Sequence, residues 1–194
     1  MAKLSVYLAT LLLGSNFSAS TLPASGGFAS GKTAVAARST MPESTPRAVT
    51  SLSARGRLCT DQEQRSIDLV NRERRARGLC VLSVNPLLVQ VAREHSREMW
   101  EKGYFDHFSP TPGLRTPMER YLARLGHTPS WAFLGENLFY CSIVDPDRGH
   151  RCLMASPKHR ENILNERFRE IGVGCFTAPD GQFYLTQLFL AQTD

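Results

Sequence analysis

Three side chains that are far apart in the chain have the chemistry of a metal site or an acid–base site. They are His107, Glu136 and His159, and they are separated by 29 and 23 residues. Neutral imidazole and carboxylate groups are ordinary ligands of zinc, and a metal held by them can activate a water molecule. Spacings of this length exceed any local geometry, so only a folded domain can bring the three side chains together.

Two interpretations of this trio stay open at the level of sequence. The three side chains could hold a divalent cation such as zinc, or Glu136 could accept hydrogen bonds from both histidines and tie their elements together. Ser109 follows His107 closely and suggests a Ser–His nucleophile. That interpretation is weaker, because no orienting acid and no oxyanion donor can be named.

Capping residues and apolar periodicity predict the helices that position these residues. The predicted helices span 61–77, 86–102, 117–125 and 148–155, and a fifth begins at Ser156–Pro157 and carries His159. His95 lies on the apolar stripe of the second helix, which favours a hydrogen-bonded histidine in the core.

The strands are predicted mainly at the end of the chain. A short strand is expected over 81–84, and a hairpin with strands 170–176 and 183–189 is expected around a Pro–Asp–Gly turn. The stretch from Trp131 to the Gly135–Leu138 segment is interpreted as a loop. Helices that precede an antiparallel hairpin indicate the α+β class.

The chain divides into three parts by composition. Residues 1–20 contain one early lysine and an apolar run too short to span a bilayer, which predicts a signal peptide. An uncleaved anchor is the alternative. Residues 21–57 are rich in Ser, Thr, Ala, Gly and Pro, which predicts a disordered linker, and residues 58–194 form the folded domain. We therefore expect a secreted protein, extracellular or periplasmic, with no transmembrane span after cleavage.

The positive charge of the chain lies outside the folded domain. The whole chain has a net charge of +5, and residues 1–57 contain six basic residues and one acidic residue. The folded domain is therefore neutral overall. This balance argues against a nucleic-acid partner, because such proteins present a basic surface to the phosphate backbone.

Five cysteines lie in the folded domain, and secretion would allow them to form disulfides. The pair Cys141–Cys152 is the predicted bridge, because it closes a short loop. A Cys59–Cys80 bridge is harder to form, since the predicted first helix would separate the two residues by about 20 Å. The odd count leaves at least one thiol outside any intramolecular bridge.

Six segments in order resemble the CAP superfamily, which comprises cysteine-rich secretory proteins, antigen 5 and pathogenesis-related class 1 proteins. The bacterial SCP-like branch is the nearest. The segments are Leu69-Val70-Asn71-x-Glu73-Arg74, Ala92-x-x-His95-Ser96-x-x-Met99, Phe105-x-His107-x-Ser109-Pro110, Gly135-Glu136-Asn137-Leu138, Ser156-Pro157-x-His159-Arg160-x-Asn162-Ile163-Leu164 and Ile171-Gly172-Val173-Gly174. The resemblance covers residues 62–190 and implies an α-β-α sandwich, in which helices flank a central antiparallel sheet.

The resemblance also implies a cavity lined by two His and two Glu. His107, Glu136 and His159 match three of these positions, and Ser156 falls where the second Glu is expected. Leu153 stands where a Trp is usual. Three ligands with an open position could still hold a divalent cation loosely.

Three functions are consistent with these observations. The leading hypothesis is a monomeric, non-enzymatic binding protein that takes a lipidic or apolar ligand, or a component of the envelope or of a host. The second is a metal-assisted hydrolase in which His107 and His159 hold the ion and Glu136 acts as a ligand or general base. The third is a structural protein of the cell envelope.

Overall fold

The computed structural model describes the folded domain over residues 58–193, together with the backbone of residues 6–9. The predicted linker 21–57 and most of the predicted signal peptide 1–20 lie outside the described residues. No helix in the described part of the chain is long and apolar enough to cross a membrane.

Five helices and five strands make up the described residues. The helices are α1 (Asp61–Arg75), α2 (Pro86–Glu101), α3 (Pro117–Leu125), α4 (Pro146–Ala155) and α5 (Pro157–Leu164). The strands are β1 (Val6–Ala9), β2 (Ser83–Val84), β3 (Trp131–Cys141), β4 (Glu170–Thr177) and β5 (Phe183–Thr193).

The strands form one sheet in the order β1-β3-β5-β4-β2. The central strands β3, β5 and β4 are antiparallel, whereas β1 is parallel to β3 and β2 is parallel to β4. The predicted hairpin is therefore confirmed as β4–β5. Because β1 falls within the predicted signal peptide, cleavage of that peptide would leave β3 as an edge of the sheet.

The prediction of a loop from Trp131 to Gly135 is wrong, because this stretch begins β3. The strand pairs with β5 along its whole length, from Trp131 opposite Thr193 to Cys141 opposite Phe183. Most of its residues are buried, since helices cover both faces of the sheet. A strand buried on both faces lacks the alternation of apolar and polar residues that predicts a strand.

Helices cover the sheet on two sides. One apolar cluster joins α2 and α3 to sheet residues such as Leu134 and Leu188. Another places residues of α1, α4 and α5 against the opposite face, which includes Phe139, Val173 and Phe189. The α+β class and the α-β-α sandwich are confirmed.

Four of the five described helices, α1 to α4, begin where a side chain accepts a hydrogen bond from a backbone N–H group of the first turn. The Thr60 hydroxyl accepts from Glu63 N, and the Glu63 carboxylate accepts from Thr60 N, which forms a capping box for α1. Asp145 caps α4, so this helix begins at Pro146, two residues before the predicted start. Such side-chain caps account for the close agreement between most predicted and observed helix starts.

Two glycines of β4 allow α2 to lie directly on the sheet. A Cβ atom at Gly172 would lie 2.3 Å from the carbonyl carbon of Leu88, and one at Gly174 would lie 2.0 Å from the backbone nitrogen of Arg93. Any larger residue would collide with helix backbone. This close approach fixes the height of α2 over the sheet and therefore the position of Arg93.

All five cysteines are free thiols in the structure. The predicted Cys141–Cys152 disulfide is therefore absent from it. Cys141 is buried at the end of β3, whereas Cys152 is exposed on α4, so the two side chains occupy different environments.

Candidate functional site

His107, Arg120 and Glu136 form a cluster between β3, α3 and the loop that precedes α3, in which Arg120 and Glu136 are buried and His107 is partly exposed. We call it the Glu136 cluster. The Nδ1 atom of His107 lies 2.8 Å from Oε1 of Glu136, and a terminal nitrogen of Arg120 donates to Oε2 over 2.7 Å. Only 4% of Glu136 and 5% of Arg120 are exposed. Both carboxylate oxygens of Glu136 are thus engaged by protein groups.

Glu136 belongs to β3 and Arg120 belongs to α3, so the ion pair joins the sheet to a helix that covers it. Glu136 lies two residues from both Leu134 and Leu138, so the three side chains share one face of β3. The two leucines pack on the side of the sheet that α2 and α3 cover, and Glu136 therefore lies beneath these helices. Arg120 extends from α3 and also donates to the carbonyl oxygens of His107 and Arg115, both over 3.1 Å. Arg120 therefore fastens the loop that carries His107 to the carboxylate that His107 contacts.

The electrostatics of the cluster favour an ionised carboxylate. Burial alone would raise the pKa of the Glu136 carboxyl. The Arg120 guanidinium and the nearby histidines outweigh burial and hold that pKa to about 2. Glu136 is consequently a carboxylate throughout the physiological pH range, and Arg120 neutralises its charge.

A second group of polar side chains supports the same loop from α2. Glu98 accepts hydrogen bonds from the hydroxyls of Tyr104, over 2.6 Å, and Ser109, over 2.9 Å. Burial raises the pKa of the Glu98 carboxyl, but Lys102 and these hydroxyls lower it to about 2. Because the Ser109 hydroxyl donates to Glu98 and not to His107, the arrangement offers no Ser–His nucleophile.

His95 occupies the core position predicted for it. It is 1% exposed, and its Nε2 atom lies 3.1 Å from the carbonyl oxygen of Asp106. Burial lowers the pKa of His95, so the ring is neutral near pH 7. The contact places this histidine directly beneath the backbone of the loop that carries His107.

His159 approaches the cluster from the other side of the sheet. It lies on α5, and its backbone carbonyl accepts from the Asn137 side chain over 3.1 Å. Burial, and then the proximity of His107, lower the pKa of His159, so its imidazole is neutral near pH 7. The described hydrogen bonds of the Glu136 carboxylate run to His107 and Arg120, and not to His159.

A buried amide network positions α5. Asn162 of α5 donates to the side chain of Asn137 and to the backbone carbonyl of Glu136. Asn137 donates in turn to Gln187, and Gln187 donates to Ser66 of α1. Every step is a hydrogen bond between groups that are buried and need a partner. This network connects α1, β5, β3 and α5, and so determines where His159 stands.

Ser156, the residue expected at the second acidic position, lies at the N-terminus of α5. It is half-buried, and its side chain makes no hydrogen bond that caps the helix. A hydroxyl at this position adds no negative charge to the group formed by His107, Glu136 and His159.

The metal centre of His107, Glu136 and His159 stays a prediction, and the charges around Glu136 count against it. No group of three or more His, Cys, Asp or Glu side chains among the described residues is arranged to hold an ion. Each oxygen of Glu136 already accepts from or contacts a protein group, and the adjacent Arg120 guanidinium would repel a divalent cation. The two oxygens of Glu136 thus have the partners that a buried carboxylate requires.

Arg120 is the residue of the candidate site that sequence reasoning missed. It belongs to a stripe of α3 that includes Pro117 and Tyr121, both of which are buried. An arginine on the inner stripe of an amphipathic helix needs a buried acidic or carbonyl partner. This signal could have indicated a partner for Glu136.

Comparison with known proteins agrees with this architecture. The family profile described as the cysteine-rich secretory protein family, CAP, matches residues 67–189, which is more than half of the chain. The chain belongs to this family. The matched range contains the entire Glu136 cluster and α5.

The curated relatives are bacterial. The uncharacterized protein YkwD of Bacillus subtilis is 37% identical over 112 residues, which cover 58% of this chain and 41% of YkwD. The uncharacterized membrane protein YlbC of the same organism is 32% identical over 135 residues, covering 69% of this chain and 36% of YlbC. The chain thus spans about two fifths of the length of these relatives.

Two solved structures show the same fold. An extracellular protein of Bacillus anthracis that contains an SCP domain aligns with a TM-score of 0.58 and 34% identity, over 68% of this chain and 40% of that one. An outer surface protein of Borrelia burgdorferi aligns with a TM-score of 0.59 and 21% identity, over 67% and 92% of the two chains. The second likeness concerns the fold alone.

Proposed function

We propose that this protein is an exported CAP-domain binding protein, and that the exposed aromatic rings of Phe105 and Tyr140 contact a lipidic or apolar ligand. Phe105 is 49% exposed and Tyr140 is 43% exposed, in a domain that buries most of its large apolar side chains. Their ring centroids are 5.9 Å apart. We call this pair the aromatic surface, and its exposure is the observation that carries the proposal.

The aromatic surface is held in place by its neighbours. The Tyr140 ring packs against that of Tyr184 with centroids 4.9 Å apart. The hydroxyls of both tyrosines donate to the side-chain oxygen of Gln182, and the Gln182 amide donates to Asp180. Rings that are fixed before binding lose little conformational entropy when a ligand covers them.

The Glu136 cluster shares a loop and a strand with the aromatic surface. Phe105 is two residues from His107 in the same loop, and Tyr140 lies on the same face of β3 as Glu136. In this proposal the buried ion pair positions the loop, and the rings make the contact with the ligand. Exposed apolar residues continue beyond Tyr140 with Ile143 and Val144.

Two observations support export. Residues 1–20 have the composition of a signal peptide. The similar protein from Bacillus anthracis is described as extracellular. Location outside the cytoplasm would bring the aromatic surface to membrane lipids or to apolar components of the envelope.

The metal-assisted hydrolase is less well supported. It requires Glu136 to act as a ligand or a base, and both of its carboxylate oxygens already have protein partners. Calorimetric titration of the protein with zinc tests this alternative. Saturable binding at one site, lost in a His107→Ala/His159→Ala variant, would favour the hydrolase over the binding protein.

Binding to vesicles tests the proposal. The full-length protein is mixed with phosphatidylcholine–phosphatidylglycerol vesicles, and the bound fraction is measured by flotation. Burying the exposed halves of two aromatic side chains contributes about 2 kcal/mol in total, so a Phe105→Ser/Tyr140→Ser variant should bind about 30-fold more weakly.

Val81→Ser is the matched control, because Val81 is also 49% exposed and belongs to another part of the surface. It should bind vesicles as the original protein does. Equal loss of binding in Val81→Ser would show non-specific adhesion and would contradict the proposal. Absence of vesicle binding, together with absence of any lipid in an organic extract of the protein, would favour a structural protein of the envelope.

A further inference from the structure

Cys59 and Cys175 both lie beside the buried carboxylate of Glu63. Cys59 immediately precedes Thr60, the N-cap of α1, and Cys175 lies near the end of β4. Cys59 is 7% exposed and belongs to the apolar cluster beneath α1, and Cys175 packs against the same cluster. The fold thus brings together two cysteines that are far apart in sequence.

Glu63 joins the backbone beside one cysteine to the backbone of the other. Its Oε2 atom accepts from Thr60 N over 2.7 Å, and its Oε1 atom accepts from Cys175 N over 3.2 Å. Arg93 binds both oxygens, over 2.7 and 2.5 Å, and also donates to the carbonyl oxygen of Leu58. The Glu63 carboxylate therefore links the backbone at Thr60 to the backbone at Cys175 through one hydrogen bond to each.

The surroundings favour a neutral form of both sulfur atoms. Burial raises the pKa of the Cys59 thiol, and the charge of Glu63 raises it further. Burial and Glu63 also raise the pKa of Cys175 well above its usual value, and the neighbouring Cys59 adds to the shift. A disulfide is apolar and carries no charge, so it suits this environment.

The other cysteines are poorly placed to pair with these two. Cys141 and Cys175 lie opposite Phe183 and Leu185 on either side of β5, so two strand spacings, about 10 Å, separate them. A disulfide needs Cα atoms within about 7 Å. The Cys80 carbonyl accepts from Arg74, at the far end of α1 from Cys59, and Cys152 is exposed on α4.

We propose that Cys59 and Cys175 form a disulfide when the protein meets a disulfide oxidant. The Cys59 thiolate attacks one sulfur of the oxidant and releases its first thiolate. The Cys175 thiolate then attacks the Cys59 sulfur of the mixed disulfide and releases the second. The two protons lost by the cysteines pass to the released thiolates, so the protein is oxidised by two electrons and the oxidant is reduced to two thiols.

The bridge would fasten the beginning of the folded domain to the sheet. Residue 59 follows the predicted linker directly, and Cys175 pairs with the central strand β5 through Leu185. The bridge would close a loop of more than 100 residues, which is the situation in which cross-linking restricts the unfolded chain most. The inference does not depend on the proposed ligand, because the oxidant can be supplied in solution.

Peptide mapping after controlled oxidation tests the bridge. The full-length protein is reduced, treated with oxidised glutathione at pH 8.5, blocked with N-ethylmaleimide and digested without reduction. Mass spectrometry should find a cross-linked peptide that contains Cys59 and Cys175, lighter by two hydrogens than its separate parts. The midpoint of thermal unfolding should rise on the order of 10 °C on oxidation.

Matched variants separate this pair from the other thiols. A Cys80→Ser/Cys141→Ser/Cys152→Ser variant should keep both the cross-link and the shift of the midpoint, whereas Cys59→Ser and Cys175→Ser should each lose both. A cross-link between any other two cysteines, or only glutathione adducts at Cys59 and Cys175, would overturn the proposal. Vesicle binding measured on the oxidised and reduced forms reports separately on the proposed function.

Discussion

Two buried carboxylates lie in different parts of the domain, and each is paired with an arginine. Glu63 of α1 is fully buried and binds Arg93, and Glu136 of β3 is almost fully buried and binds Arg120. In both cases the nearby cation lowers the pKa of a carboxyl that burial would otherwise raise. The local chemistry of the two pairs is nearly the same.

The surroundings of the two pairs differ. Glu63 also accepts from two backbone N–H groups, and its arginine is partly exposed, with 38% of the side chain accessible. Glu136 has an imidazole as its other partner, and its arginine is buried. The loop that it supports carries Phe105, an exposed aromatic residue, close to the imidazole.

A buried carboxylate whose pKa is lowered by a neighbouring cation therefore does not by itself mark a functional site. Glu63 has those properties and serves to cap α1 and to anchor β4. Glu136 is distinguished by a partly exposed histidine partner, and by the loop and the strand that it shares with the aromatic surface. Structural ion pairs and functional ones both shift pKa values, so the neighbouring groups have to decide between them.

The largest expected effect separates the two pairs by stability. Arg120→Met should lower the free energy of unfolding by about 3–5 kcal/mol, because it leaves Glu136 buried without its cation. Arg93→Met should cost only about 1–2 kcal/mol, because two backbone N–H groups still satisfy Glu63 and the arginine that is lost is partly exposed. Denaturation in urea measures both free energies of unfolding. Equal losses would show that the two ion pairs contribute equally to stability, contrary to this prediction.

The dependence of stability on pH sharpens the comparison further. The folded pKa of Glu136, about 2, lies below the ordinary value of 4.5. Its contribution to stability is therefore fully present above pH 4.5 and is lost as the pH falls towards 2. In a Glu136→Gln variant the slope of stability against pH in this window should decrease by up to about 1.4 kcal/mol per pH unit, which corresponds to one proton.

The control for this measurement is Glu161→Gln, which removes an exposed carboxylate from α5. It should leave the slope between pH 4.5 and 2 close to that of the original protein. If Glu136→Gln and Glu161→Gln give the same slope, the ionised form of Glu136 does not stabilise the fold.

The smallest effect concerns the structural role of Glu63. Thr60→Ala removes the hydroxyl that caps Glu63 N and should cost about 1 kcal/mol. Urea denaturation should detect this loss, while vesicle binding should remain unchanged, because the cap lies away from the aromatic surface. A loss of vesicle binding in Thr60→Ala would show that the two regions are coupled.

Several elements could be predicted from the sequence because their signals are local. The starts of α2 and α3 follow from Asn85–Pro86 and Thr116–Pro117, whose side chains and rings satisfy or replace the first backbone N–H groups. The β4–β5 hairpin follows from two apolar runs around a turn. The strand β3 escaped prediction, because burial on both faces removes the alternation that marks a strand.

The candidate site was predictable only in part. The residue types and the resemblance to the CAP superfamily singled out His107, Glu136 and His159. They did not indicate Arg120, whose contact with Glu136 depends on how α3 packs against β3. Nor did they indicate that the hydrogen bonds of Glu136 would run to Arg120 and His107 rather than to both histidines.

The sequence by itself determined the family, the α+β class and most of the helix boundaries, because caps, turns and apolar periodicity each depend on a few neighbouring residues. Tertiary structure decided which partners the buried charges have and which cysteines approach each other. Glu63 with Arg93, and Glu136 with Arg120, are joined by packing across 30 and 16 residues. A buried charge must be paired by whatever group the fold brings to it, and that group cannot be identified from local sequence alone.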